Sequence, residues 1–352
     1  MMSVVEIVAL VLRFALVSAA IYLVIATALV LSQFPSPPPA GKTLDFSTLS
    51  GRSGNTDESK YQAAPLEFYQ ARDGARLGFR RYEAAINATA EGTGEAAPAP
   101  LLVFIHGSGW HGAAYDGLAR ELAATGRLTI LLPDLRGHGP DPESRGDIAY
   151  IGQFEDDIAD LIALQRKPGQ KLFIGGHSSG GGLAVRYAGG DHGSGLDGAV
   201  LVAPFLKHDS PATRPASGGW AKPLTRRIIG LSMLNSVGIT ALNGMIAIQF
   251  RFPQEVLEGP QGSTATPAYS FRLNTSFAPR ADYLADIAAL PPFLLVAGQD
   301  DEAFIAEAYE PTMRPVNPKG HYLLVENRSH LGIVNAPETA AGILSFVGTA
   351  LR

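Results

Sequence analysis

Apolar and polar positions fall into three regimes along this chain. Residues 14–31, FALVSAAIYLVIATALVL, carry no charge and approach the roughly 20 residues an apolar helix needs to cross a bilayer. Glu6 and Arg13 bound the window on its amino side. A buried helix and a cleaved signal peptide are the alternatives, and Ala26-Thr27-Ala28 is cleavage-like. The apolar run nevertheless continues through Leu29, Val30 and Leu31, beyond the ~7–15 residues of a signal peptide's apolar core. An uncleaved single-pass anchor over 4–31 is therefore expected. With Arg13 on one flank and Lys42 the first base on the other, the positive-inside bias puts the amino end in the cytoplasm and the rest outside it, in a periplasm if the cell is bacterial. Cleavage would instead yield a secreted protein.

Residues 32–60 hold Pro, Ser, Gly and charges without an apolar period and predict a linker. Two apolar stretches, 66–69 and 77–82, then flank Asp73-Gly74, the signature of a hairpin, and a polar Gly/Ala/Pro loop follows at 87–100. From there short apolar runs at 101–105, 128–132, 171–174, 198–202, 293–297 and 322–325 read as buried strands. Helical spacing appears between them at 115–124, 154–165 and 182–188. Such alternation predicts an α/β fold, a mostly parallel sheet with helices on both faces. The gap at roughly 205–290 breaks the rhythm and marks an insertion.

Composition narrows the chemistry. The chain has 352 residues, 46% hydrophobic and only 17% charged, with a formal charge of −5. That leaves no basic field for nucleic acid. With 39 Gly and 25 Pro a coiled coil is excluded, and the absence of Cys removes disulfides, thiolate nucleophiles and Cys-ligated metals.

Gly176-His177-Ser178-Ser179-Gly180 matches G-x-S-x-G and sits between a predicted strand and a predicted helix. A serine projecting from so tight a turn needs small neighbours, which the flanking glycines supply. A hydroxyl needs a base, and the base needs a group to orient it. Of eight histidines, His330 is the candidate base: it follows the last predicted strand and a polar turn. His106 and His177 are expected to pack or hydrogen-bond locally. The acid falls within Asp300-Asp301-Glu302, at the end of the 293–297 run. For an oxyanion hole, the backbone N–H groups of Ser179 and Ser108 are the candidates, the latter within His106-Gly107-Ser108-Gly109-Trp110. No metal or organic cofactor is needed.

Together these pieces resemble the α/β-hydrolase serine hydrolases, closest to the branch of monoacylglycerol lipases, lysophospholipases and proline-iminopeptidase-like enzymes. The matching motifs, in order, are ARDGARLGFRRY (71–82), FIHGSGW (104–110), LLPDLRGHGP (131–140), GGHSSGGG (175–182), LVAGQDDEAF (295–304) and NRSHLGIV (327–334). The resemblance implies a core of 61–205 and 286–352 with a cap, or lid, at 206–285. It carries the acid's role to Asp301, with Asp300 as the rival, and gives the 134–139 loop a structural role. Pro140-Asp141-Pro142 stands where a serine often follows in the family, a departure that touches the pocket rim.

Within the insertion, residues 228–250 carry no charge. A pair of helices broken near 236–238 is expected, either packing on the core or presenting an acyl-binding or membrane-facing surface. The resulting expectation is a membrane-anchored serine hydrolase cleaving a lipophilic carboxylic ester, a small molecule or a lipid, through Ser178, Asp301 and His330. The alternatives are an amidase or aminopeptidase, which would need a lid carboxylate such as Glu255 or Glu258 for a substrate amine, an acyltransferase, or a non-catalytic scaffold.

Overall fold

The computed structural model describes residues 3–36, 44–46, 63–85 and 97–351. Most of the linker predicted over 32–60, including Lys42, lies outside the described residues, as do positions 87–96 of the polar loop.

The first helix, α1 (Val4–Leu31), begins with a capping box in which Ser3 and Glu6 satisfy each other's orphan donors. It is long and apolar enough to cross a membrane, and every residue from 3 to 21 is exposed.

The core elements then follow as β1 (Glu67–Gln70), β2 (Arg76–Tyr82), β3 (Leu101–Ile105), α2 (Asp116–Ala124), β4 (Thr129–Pro133), α3 (Gln153–Gln165), β5 (Leu172–His177), α4 (Ser179–Ala188) and β6 (Gly198–Val202). The insertion carries β7 (Ala221–Pro223), α5 (Thr225–Ser236), β8 (Ile246–Phe250), α6 (Gln254–Leu257), β9 (Ala268–Ser270), α7 (Phe271–Phe277) and α8 (Tyr283–Ala289). The chain returns to the core as β10 (Phe293–Gly298), α9 (Tyr309–Met313), β11 (Gly320–Val325) and α10 (Pro337–Ala350).

The main sheet has eight strands in the order β1-β2-β4-β3-β5-β6-β10-β11. It is parallel from β4 to β11 and antiparallel where β2 meets β1 and β4. All residues of β3, β4, β5, β6 and β10 are buried. This explains why those strands read as unbroken apolar runs rather than alternating ones.

The insertion departs from the expected helix pair. Helix α5 ends in a Schellman motif, with Gly238 at φ 81° and the Ile239 N–H donating to Leu234 O at 2.9 Å. The second half of the charge-free window is strand β8, central in a three-stranded antiparallel sheet β7-β8-β9. Its β-branched Ile246 and Ile248, alternating with Ala247, favour a strand over a helix.

Helix α5 also packs along the carboxyl half of α1. Ala26 and Val30 are buried there against Leu231, Leu234, Ala247 and Phe271, in a small core separate from that of the main sheet. Gly230 makes the approach possible: a Cβ on it would lie 2.5 Å from Ala26 O. Tyr22 Oη donates to Met233 O at 3.0 Å, and Arg226 donates to Ser32 O at 2.8 Å. The two helices therefore run antiparallel along each other.

Candidate active site

Ser178 lies at the turn from β5 into α4 with φ 54° and ψ −122°, a region costly for a residue with a Cβ, of order 1–3 kcal/mol. The surroundings hold it there. Its N–H donates to Val202 O at 3.0 Å, and its carbonyl accepts from Phe205 N at 2.9 Å. A Cβ on Gly180 would lie 2.2 Å from Ile105 O, so only glycine lets α4 pass so close to β3.

His330 Nε2 accepts from Ser178 Oγ at 3.0 Å, and its Nδ1–H donates to Asp301 Oδ2 at 2.8 Å. All three side chains are buried. The second Asp301 oxygen accepts from the N–H groups of Ala303 and Phe304 at 2.7 and 2.8 Å, which fixes the carboxylate's orientation. Asp300, one residue earlier, is exposed. Glu302 accepts from the His330 N–H at 2.9 Å. The structure thus brings Ser178, His330 and Asp301 into one hydrogen-bonded line and leaves Asp300 outside it.

The loop after β3 is held on both sides of Ser108. The Gly107 N–H donates to Tyr115 Oη at 2.9 Å, and the Gly109 N–H donates to Tyr269 Oη. Among the described residues the N–H groups of Ser108 and Ser179 have no hydrogen-bond partner, and Ser108 Oγ accepts from Trp220 Nε1 at 3.1 Å.

Three buried histidines act as fixed struts. His177 was expected to bond locally, but its Nε2–H donates to His330 O at 2.9 Å and its Nδ1 accepts from Tyr115 Oη at 2.9 Å. It ties the serine turn, the His330 loop and the Gly107 loop together, because β5 ends beneath all three. His106 donates to Gly107 O and accepts from Leu135 N. His138 accepts from Tyr269 Oη at 2.7 Å and donates to Arg136 O at 3.0 Å. Burial holds His106 below the ordinary imidazole range and His138 and His177 well below it, with the neighbouring His330 adding to the effect on His177. Burial pushes the Tyr115 and Tyr269 phenols up. Each ring is then neutral, with the one donor and one acceptor its bonds require.

Asp134 is structural in this arrangement: it takes Arg80 Nη1 at 3.1 Å and the Gly112 N–H at 2.8 Å. Tyr115, Trp220 and Tyr269 were not among the sequence-predicted site residues. Tyr269 lies 160 positions from the glycine it holds, and no local motif marks it.

The cavity at Ser178 is lined by Leu44, Phe46, Trp110, Trp220 and Leu331 together with Gly107, Ser108, Tyr115, His177 and His330. None of these is acidic. Glu255 on α6 and Glu258 just past its end are exposed, outside the lining.

The profile of one protein family, described as "Serine aminopeptidase, S33", matches residues 96–323, which include the Ser178 turn and the β10 end. The chain belongs to this α/β-hydrolase family. Human monoglyceride lipase is 29% identical over 143 residues, 39% of this chain and 44% of that protein. An uncharacterized protein of Mycobacterium tuberculosis is 33% identical over 89 residues, 25% of either chain. The matches thus span well under two thirds of these curated relatives. Among solved structures, a monoglyceride lipase from Saccharomyces cerevisiae superposes with a TM-score of 0.58 at 18% identity, covering 82% of this chain and 95% of that one. A membrane phospholipase A described as a bacterial virulence factor gives 0.52 at 17% identity and covers 99% of both chains. At such identities the structural likeness is one of fold.

Proposed function

We propose that this family member is a membrane-anchored serine hydrolase that cleaves a lipophilic carboxylic ester through an acyl-enzyme on Ser178. The observation that carries the reading is the buried line Ser178–His330–Asp301 with the serine held at positive φ. In the first half-reaction Ser178 Oγ attacks the ester carbonyl while His330 Nε2 takes its proton. Asp301 keeps the imidazole in the required tautomer and stabilises the imidazolium. The developing oxyanion is met by the N–H groups of Ser108 and Ser179, each worth about 3 kcal/mol in such a role. His330 then gives its proton to the leaving alkoxide. Water repeats the sequence on the acyl-enzyme, releasing the acid and restoring the serine.

The choice of ester over amine-bearing peptide rests on the lining. A free amine in a largely apolar pocket needs a carboxylate partner, and among the described residues the lining holds none. The monoglyceride lipases among the relatives support the same substrate class. Parallel assays on p-nitrophenyl acyl esters and amino-acid anilides test the choice. Ester turnover should dominate, and faster anilide turnover would overturn it.

Helix geometry supports the membrane placement. The part of α1 before Tyr22, exposed throughout, is about 27 Å long at 1.5 Å per residue, near the ~30 Å of a hydrocarbon core. Beyond it α1 is packed against α5, whose far end meets Tyr22. Exposed Val237, Ile239 and Leu242 lie just past that end. On this reading the insertion is a cap whose apolar tip rests in the membrane interface, with Tyr22 at the headgroup level. The catalytic unit then lies on the side of the membrane opposite the amino end of α1, the side we assign as extracytoplasmic.

A further inference from the structure

The linker, predicted as a polar spacer, contributes two apolar side chains to the cavity at Ser178. Leu44 is 5% exposed and Phe46 half-buried, and both line it. Phe46 stands among three aromatic rings, with centroids 5.5 Å from Trp110, 5.6 Å from Trp220 and 5.3 Å from Phe252. Trp110 belongs to the loop that carries Ser108, and Trp220 donates to Ser108 Oγ. The linker thus reaches the oxyanion loop from the side of the insertion. Upstream the chain is already fixed there, since Ser36 N donates to Gln249 Oε1 at 3.1 Å and Lys222 Nζ donates to Ser36 O at 3.1 Å.

With these side chains in place the cavity is only about 20 Å³, room for about one water molecule. An acyl chain bound to Ser178 must lie along an apolar wall, and the wall beside Ser108 is already filled by the Phe46 ring. We propose that Phe46, steadied by Leu44, is a specificity-determining residue that sets the acyl length the site accepts. The proposal rests on the ester-hydrolase reading and adds to it that the linker, not only the insertion, shapes the substrate site. Loss of the ring would extend the cavity toward Trp220 and Phe252 and admit further methylenes, while a larger ring would shorten it.

The test uses the purified full chain in detergent with p-nitrophenyl esters from acetate to decanoate. Phe46→Ala should raise the decanoate-to-acetate ratio of kcat/KM by about tenfold or more, and Phe46→Trp should lower it. Leu44→Ala should move the ratio in the same direction as Phe46→Ala by a smaller factor. A merely structural role would change all esters by one common factor in these variants, and that outcome, or an unchanged ratio in variants whose thermal melting matches wild type, would overturn the proposal. Wild-type protein that hydrolyses no ester of the series would instead overturn the hydrolase reading on which it stands.

Discussion

One side of the pocket is built by the main sheet and the other by parts attached to it. On the sheet side each candidate reacting group follows the end of a parallel strand: Ser108 after β3, Ser178 after β5, Asp301 after β10 and His330 after β11, the partly exposed edge strand. Their positions are fixed by strand register and by short loops. On the other side Phe46 comes from the linker and Trp220 from the insertion, far away in sequence, with Phe252 of the insertion packed against Phe46. Their positions depend on packing between aromatic rings and on how the insertion meets α1. Changes on the sheet side should therefore stop chemistry with the pocket intact, and changes on the attached side should alter what binds and where the protein sits.

The largest effect tests the sheet side. Asp301→Asn should lower kcat by about 10⁴-fold by allowing the wrong His330 tautomer, whereas Asp300→Asn should leave turnover near wild type. Steady-state kinetics on one short ester separates the two, and a severe loss in the Asp300 variant would break the assignment.

The junction between the sides carries the next effect. His111 is buried against Trp110, donates to Thr264 of the insertion, and burial pushes its pKa down to about 4. The unfolded chain takes up this proton near pH 6.5. The stability the neutral ring contributes is thus complete above about pH 6.5 and lost as pH falls toward 4, to a limit of about 3 kcal/mol. Urea unfolding of His111→Asn from pH 7 to 4.5 should show a shallower acid loss than wild type. Equal slopes would contradict a buried neutral His111.

On the attached side, Gly230→Val places atoms where Ala26 and Val30 of α1 already lie. Overpacking of this kind should cost about 2 kcal/mol locally. Hydrogen exchange should speed up in α5 and in the carboxyl half of α1, while β3 and β5 stay protected. Faster exchange throughout the sheet would mean that the two regions are not separable.

The smallest effect lies where the insertion holds the loop around Ser108. Tyr269→Phe removes the acceptor of the Gly109 N–H and the donor to His138. The loss of the bond that holds the Gly109 N–H, about 1 kcal/mol, should lower kcat about tenfold or less with KM little changed. A rise in KM alone would place Tyr269 in ground-state binding.

The same division governs what could be read from the residues alone. Strands buried on both faces announce themselves as apolar runs, and tight turns at their ends need glycine. Local sequence therefore marked the Ser178 turn and the loop around Ser108, while His330 was legible from its place after the last strand. Asp300 and Asp301 were harder, because neighbouring carboxylates differ only in where the β10 turn points them. The second half of the 228–250 window is a strand rather than the expected helix, since a charge-free window hides whether its period is helical or alternating. Tyr115, Tyr269 and the remote bonds of His177 left no local signal. Phe46 was passed over because two apolar side chains in a Pro- and Ser-rich stretch do not change its average polarity.

The most direct test of the central claim is covalent labelling with a fluorophosphonate, read by peptide mass. The wild-type chain should take up one label at Ser178, and Ser178→Ala should take up none at any site. An unlabelled wild type, or equal labelling of the Ser178→Ala variant, would contradict the assignment of Ser178 as the nucleophile.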